Sequence, residues 1–180
     1  MSGDELDPDA LGLMQVVLAD PDGMTARAFM NPPTMALGVN NPEWRRAEIP
    51  GANGHGAARD LARVYGALAR GGDLDGAHVL APAAIARLRQ EQSRGADLVL
   101  KIDTRFGLGV MLPQNRPDAR FGPSPNAFGH PGAGGALGCA DPDAHIGFGY
   151  TGYTPNRLGP HILLDPRATA LLDAIYEGLK

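Results

Sequence analysis

The chain has three serines, Ser2, Ser93 and Ser124, and two lysines, Lys101 and Lys180. Serine catalysis needs the hydroxyl beside a base that takes its proton. A Ser-x-x-Lys spacing puts both on one helical turn. Three places after the serines stand Glu5, Ala96 and Ala127, so that spacing is absent. No Gly-x-Ser-x-Gly elbow occurs either, because Ser124 lies in Gly122-Pro-Ser-Pro-Asn126. Such enzymes also carry a Tyr-x-Asn or Ser-x-Asn pair. The one formal match is Ser124-Pro125-Asn126, inside a Pro-rich loop.

Other reactive groups are sparse. His55, His78, His130, His145 and His161 are widely spread, and no HExxH, CxxC or P-loop is present. Asp141-Pro-Asp143-Ala-His145 is the one cluster of potential ligands, and it reads as a turn with solvated acids rather than a metal site. The single cysteine, Cys139, reads as a buried structural thiol. No disulfide framework can form within the chain. We expect no cofactor and no metal.

The elements that position these groups follow from patterning. Leu11–Leu18 is apolar and short, and reads as helical. Asp20-Pro-Asp-Gly23 is a turn, and Thr25 is placed to cap a short helix through Met30. From Asn31 to Gly56 periodicity breaks down among Asn-Pro and Pro-Gly pairs. Ala57–Arg70 is a helix with Leu61, Val64 and Leu68 at helical spacing, ended by Gly71-Gly72. Asp73–Gly76 reads as a turn, and Pro82 opens a second helix to about Gln92. Phe106–Leu112, Ala127–Ala140 and His145–Tyr153 read as strands, with a turn at Asp141–Asp143. The glycines of Gly129–Gly138 suit close approach of a backbone or ligand. Asp165-Pro166 starts a closing helix with the stripe Ala168, Leu171, Leu172, Ile175 and Leu179. His55 reads as packing or capping beside the first strong helix. The order is α+β: helices, about three antiparallel strands, then a helix that covers one face of the sheet. The chain reads as one partial domain over 1–180, helical and looped over 1–92 and sheet-bearing over 93–180.

Composition narrows the partners. The 180 residues are 43% hydrophobic and 20% charged, with a net charge of −4, which argues against a nucleic-acid surface and against disorder. No apolar run is long enough to span a membrane. The start, MSGDELDPDA, lacks the basic and apolar regions of a signal peptide, so a cytoplasmic location is expected. The eight acids of residues 1–50 read as a solvated face.

One stretch carries more. Phe128-Gly-His-Pro-Gly-Ala-Gly-Gly-Ala-Leu-Gly-Cys-Ala-Asp-Pro142, followed by His145-Ile-Gly-Phe-Gly-Tyr150, resembles the third motif of the serine β-lactamase and penicillin-binding-protein superfamily. There a Lys-Thr-Gly, or a His-x-Gly in the esterase-like branch, lies on the strand edging the active site. Ile49–Arg63, Glu91–Leu100, Arg105–Leu112 and Asp165–Ile175 also look like the downstream half of that branch, which contains class C β-lactamases and family VIII carboxylesterases. The resemblance covers about residues 10–180.

The resemblance implies a β-lactamase/transpeptidase-like fold, present in part, and roles for three residues. His130 would replace the family lysine as the polar group on the substrate side. Gly132 would allow close approach. The N–H of Ala133 would be one oxyanion-hole donor, worth ~2.7–4 kcal/mol in the transition state. Pro131 stands where the family triplet carries Thr, so that hydroxyl contact is lost. The Ser-x-x-Lys and Tyr-x-Asn motifs lie upstream of everything matched, so no nucleophile is expected here.

The implied function is ester or amide hydrolysis through an acyl-serine in the complete family. This chain is expected to be inactive alone and to take a small-molecule substrate only when completed by an N-terminal half. One sheet edge should then be exposed, which invites self-association. The alternatives are a non-catalytic binding or partner module on the same half-fold, or a hydrolase with Ser124 or Cys139 as nucleophile.

Overall fold

The computed structural model describes residues 15–31, 41–115, 120–132, 134–152 and 165–180. Residues 15–19 are helical. They are followed by α1 (Met24–Met30), α2 (Pro42–Arg46), α3 (Ala58–Ala69), the hairpin β1 (Asp73–Leu74) and β2 (Ala77–His78), and α4 (Pro82–Leu88). The sheet strands are β3 (Ser93–Ala96), β4 (Asp103–Phe106), β5 (Phe128–Gly132), β6 (Ala136–Asp141) and β7 (Ile146–Tyr150), and α5 (Pro166–Gly178) closes the order.

All pairing is antiparallel: β3 with β4, and β5 with β6 and β6 with β7. Met111 joins the two groups, bridging Phe106 on one side and Gly129 on the other. The Met111 and Gly129 backbones exchange both hydrogen bonds, at 2.7 and 3.1 Å. A single residue thus stands in for a strand, and the sheet reads β3-β4-Met111-β5-β6-β7.

Two cores flank this sheet. On one face Leu137, Cys139 and Phe148 pack with Ala168 and Leu172 of α5, together with Met111 and Phe121. On the other, Phe128, Ala140, Val110 and Leu112 pack with Ala69 of α3 and Ile85 of α4. The expectation that α5 covers one face holds, and α3 and α4 cover the other. The period-two alternation explains the split, since neighbouring residues of β6 such as Cys139 and Ala140 face opposite layers.

The helix α3 reaches β7 through small residues. A Cβ on Gly147 would overlap the Gly66 backbone and the carbonyl of Ala62, and one on Gly149 would overlap backbone atoms of Ala58 and Ala62. A Cβ on Gly138 would overlap the Tyr65 ring. Glycine therefore serves helix packing here, and α3 buries Gly66, Ala67 and Ala69 while Val64 stays exposed. Of the expected stripe, Leu61 lies against Gly149 and Leu68 packs on the core, both half-buried, and only Val64 falls off the face that packs.

Other expectations need correction. Phe106–Leu112 is not one strand. It ends β4 and turns through residues 107–110, where Gly109 has φ +75°. Ala127–Ala140 is a hairpin rather than one strand, because Gly134 and Gly135 adopt φ +90° and +89° and fold β6 back onto β5. Asp73–Gly76 belongs to a small hairpin. Thr25 sits inside α1, with Gly23 as the N-cap, and its hydroxyl donates to the Val99 carbonyl at 2.8 Å. The second helix stops at Leu88. Helix α2 orders part of the stretch read as irregular, capped by the Asn41 side chain, which accepts from the Glu43 N–H at 2.9 Å. Of the closing stripe, Ala168 and Leu172 are buried, whereas Leu171, Ile175 and Leu179 remain 52, 40 and 64% exposed. No described helix is long and apolar enough to cross a membrane.

Candidate functional site

The strand β5 places His130 and Gly132 two residues apart, and Ala133 lies outside the described residues. Gly129 bonds outward to Met111, so by alternation residues 128, 130 and 132 turn their backbone groups to β6, and 129 and 131 turn theirs away. Pro131 therefore occupies an outward position. Its missing N–H removes no bond to β6, which is why a proline fits in this strand. Past Gly129, β5 has no further ladder partner on that side among the described residues. The outward face at Pro131 is a short open edge.

His130 stands beside this edge and is exposed. Its ring lies 6.1 Å from the Phe106 ring at 40°, and its Nδ1 is 2.6 Å from the Pro131 carbonyl oxygen. A carbonyl only accepts, so Nδ1 carries a proton. In the neutral ring Nε2 is then an acceptor. Phe106 was not recognised as a partner, because its contact depends on the one-residue bridge at Met111.

The turn after Gly132 is held from below. Asp165, fully buried, caps α5 by accepting the Arg167 N–H at 2.8 Å, and the Arg167 guanidinium grips both its oxygens at 2.7–3.2 Å. A Cβ on Gly135 would lie 2.6 Å from Asp165 Oδ2, so the carboxylate sits directly against the β5–β6 turn. The Asp-Pro pair reads as a helix start, and no sequence signal shows that the same carboxylate supports residues 134 and 135.

Ser124, Asn126 and the Asp141–Asp143 turn lie at the opposite end of β5. Ser124 Oγ donates to Asp143 at 2.6 Å and accepts the Asn126 N–H at 2.9 Å. Asn126 Nδ2 also reaches Asp143, and Arg89 donates to Asn126 at 2.8 Å. These bonds from Ser124 and Asn126 hold the Asp143 carboxyl below its ordinary range. The hydroxyl is thus spent on a turn, and its acceptor is a carboxylate held too weakly basic to take its proton. Asp141 is buried and accepts the Tyr176 hydroxyl at 2.6 Å and the N–H groups of Asp143 and Ala144. Among the described residues no group of three His, Cys, Asp or Glu could hold a metal ion. His55 is exposed, with Nδ1 2.8 Å from the Asn53 carbonyl oxygen.

Cys139 is buried between the layers, as expected. Burial, with Asp141 adding to it, pushes its thiol up to about 12, and burial raises the Tyr65 hydroxyl to about 12 as well. Each is neutral when protonated and has a folded value above the unfolded one, so the folded state holds protons that the unfolded chain releases. Their contribution is complete below the ordinary thiol value of 9.0 and is lost as the pH climbs towards 12. Urea midpoints are expected to fall between about pH 8 and about pH 11. Ellman's reagent should not titrate Cys139 at the lower pH without denaturant.

The arrangement can be compared with known proteins. A family model described as Beta-lactamase matches residues 10–172. Over 103 residues the chain is 39% identical to the esterase/beta-lactamase LipL of Mycobacterium tuberculosis (strain ATCC 25618 / H37Rv), covering 57% of this chain and 23% of that protein. The crystal structure of a family VIII carboxylesterase superposes with a TM-score of 0.69 at 40% identity, over 77% of this chain and 36% of that one. A penicillin-binding protein homologue from Caulobacter crescentus gives a TM-score of 0.68 at 43% identity, with the same coverage. The chain thus spans about a third or less of the length of these relatives. The match runs through α3, the whole sheet and most of α5, the parts that hold His130 and Gly132 in place, and on that extent the chain belongs to the β-lactamase family.

Proposed function

We propose that this chain supplies the third-motif strand of an acyl-serine hydrolase site whose nucleophile comes from residues outside it. The observation that carries this reading is the open edge of β5 with His130 beside it, in a chain that has no Ser-x-x-Lys. An ester or amide carbonyl lies along the edge. The external serine oxygen attacks it, and the carbonyl electron pair moves onto oxygen. The resemblance to the family's third motif gives the oxyanion donor as the N–H of Ala133. The leaving group departs with a proton, and water then releases the acyl group. His130 offers Nε2 to the substrate, and Gly132 keeps the approach free of a side chain.

The pure chain is therefore expected to turn over neither nitrocefin nor a p-nitrophenyl ester. Joined to the remaining part of the family VIII carboxylesterase, it should hydrolyse the ester and be inactivated by a serine-directed phosphonate. His130→Ala in that protein should lower kcat/KM about tenfold to a hundredfold, as loss of one polar contact does. Turnover by the chain alone, surviving in Ser124→Ala, would sink the proposal. A joined protein that folds and binds phosphonate but is indifferent to His130→Ala would remove His130 from it.

A further inference from the structure

A peptide laid along a sheet edge is held by main-chain hydrogen bonds. Every second residue of the edge offers it an N–H and a C=O, about 7 Å from the next residue that does so. On the outward side of β5 those residues are Gly129 and Pro131. Gly129 spends both groups on Met111. Pro131 has no N–H to offer. Its carbonyl oxygen already faces the protonated Nδ1 of His130 at 2.6 Å, and Pro131 is buried although His130 and Gly132 are not. The edge therefore has no strand partner at Pro131 and lacks the free groups that would hold one.

The imidazole is placed to keep that carbonyl occupied. Its ring lies 6.1 Å from the Phe106 ring. Phe106 is fixed in its turn, since its carbonyl accepts the Gln92 N–H at 2.8 Å and its backbone bridges to Met111. Of the two ring nitrogens, Nδ1 is turned back onto its own strand and only Nε2 is left for substrate.

We propose that Pro131 sets the substrate class of the acyl-serine site described above, an inference that rests on that reading. The site accepts an ester whose acyl and alcohol parts carry no backbone amide, and it refuses an ester embedded in a peptide-like chain. Such a chain would set an amide C=O against a proline nitrogen and an amide N–H against a carbonyl that is already bonded. A polar group that loses water and gains no partner weakens binding. Only a substrate carrying such groups incurs the loss. Selectivity here comes from groups withheld rather than from contacts added.

The first test is nitrogen NMR of His130 in the full chain. In the neutral ring a protonated Nδ1 and an unprotonated Nε2 are expected, and the opposite tautomer overturns the proposal. The second test uses the joined protein and two esters of equal length, with acid release followed in a pH-stat. One ester is flanked on both sides by alkyl chains and the other, a depsipeptide, on both sides by amides. The alkyl ester should have the higher kcat/KM, by about tenfold or more. Pro131→Ala restores the N–H and should narrow that ratio about fivefold or more, chiefly through a lower KM for the depsipeptide. His130→Ala frees the carbonyl and should narrow the ratio as well, although both esters turn over more slowly. Pro125→Ala, at an exposed loop proline, leaves the ratio unchanged. A ratio that neither Pro131→Ala nor His130→Ala moves overturns the proposal, as does a depsipeptide turned over as fast as the alkyl ester. Turnover of neither ester by a folded joined protein removes the acyl-serine reading itself, and this inference with it. Should the joined protein fail to fold, the tautomer of His130 in the full chain decides.

Discussion

Replacing Gly147 or Gly149 by valine is expected to lower the stability of the chain by at least about 3 kcal/mol. Neither position is a turn, and neither has a positive φ. The effect comes from contact. A Cβ at 147 meets the Gly66 backbone, and one at 149 meets the Ala58 carbonyl and the Ala62 nitrogen, which belong to a helix rather than to a pliable side chain. Overpacking a well-filled interior costs about 1–3 kcal/mol, and more where backbone must move. A valine that displaces α3 also parts Tyr65 from Gly138 and opens the core that Ala69 shares with Phe128 and Ile85. We expect a loss of at least about 3 kcal/mol, a large share of the stability of a domain this size. Urea titration followed by far-UV circular dichroism checks it. Gly51→Ala, where a Cβ meets nothing within 4 Å, is the control and should shift the midpoint little. A Gly149→Val protein with the wild-type midpoint would mean that α3 does not rest on β7 as described.

These glycines show how far the chain could be read in advance. The density over Gly129–Gly138 marks a close approach, met at Gly138 by the Tyr65 ring, whereas Gly147 and Gly149 carry no such reading. The partner lies some 80 residues away, in the Ala58–Gly66 stretch, and only the fold reveals it. Local signals fared well where the physics is local: Gly71-Gly72 ends α3, and Asp165-Pro166 starts α5. Alternation over Phe106–Leu112 and Ala127–Ala140 was misleading because a tight turn through glycine preserves the pattern while reversing the chain. The apolar residues of α5 were legible as a stripe, yet composition could not say that half of it stays bare. At the candidate site, His130 and Gly132 are singled out by the residues around them. Phe106 and Asp165 were not, since each acts across the sheet from a distant place in the sequence.

Asp165→Ala carries the second large effect, and it links the fold to the site. The carboxylate is fully buried and does three things at once. It caps α5, it pairs with Arg167, and it lies against Gly135 in the turn that follows the His130–Gly132 strand. Loss of an N-cap costs about 1 kcal/mol and up to about 2. The Arg167 contact adds less than a buried pair would, because that side chain is 57% exposed and water screens it. The Tyr150 hydroxyl loses its acceptor too. Together these give an expected loss of about 2–3 kcal/mol, read as a lower urea midpoint. Asp165→Asn keeps an oxygen for the cap and should recover about half of it. The turn itself supplies the sharper readout. With the carboxylate gone, the amides of Gly134 and Gly135 should exchange faster than in wild type, while those of β6 beyond Leu137 keep their protection under native conditions. In the joined protein described above, the same substitution should then lower kcat more than it raises KM, because the turn at Gly134 and Gly135 that follows the His130–Gly132 strand loses its support. A variant with slow turn exchange and an unchanged kcat would confine Asp165 to capping the helix.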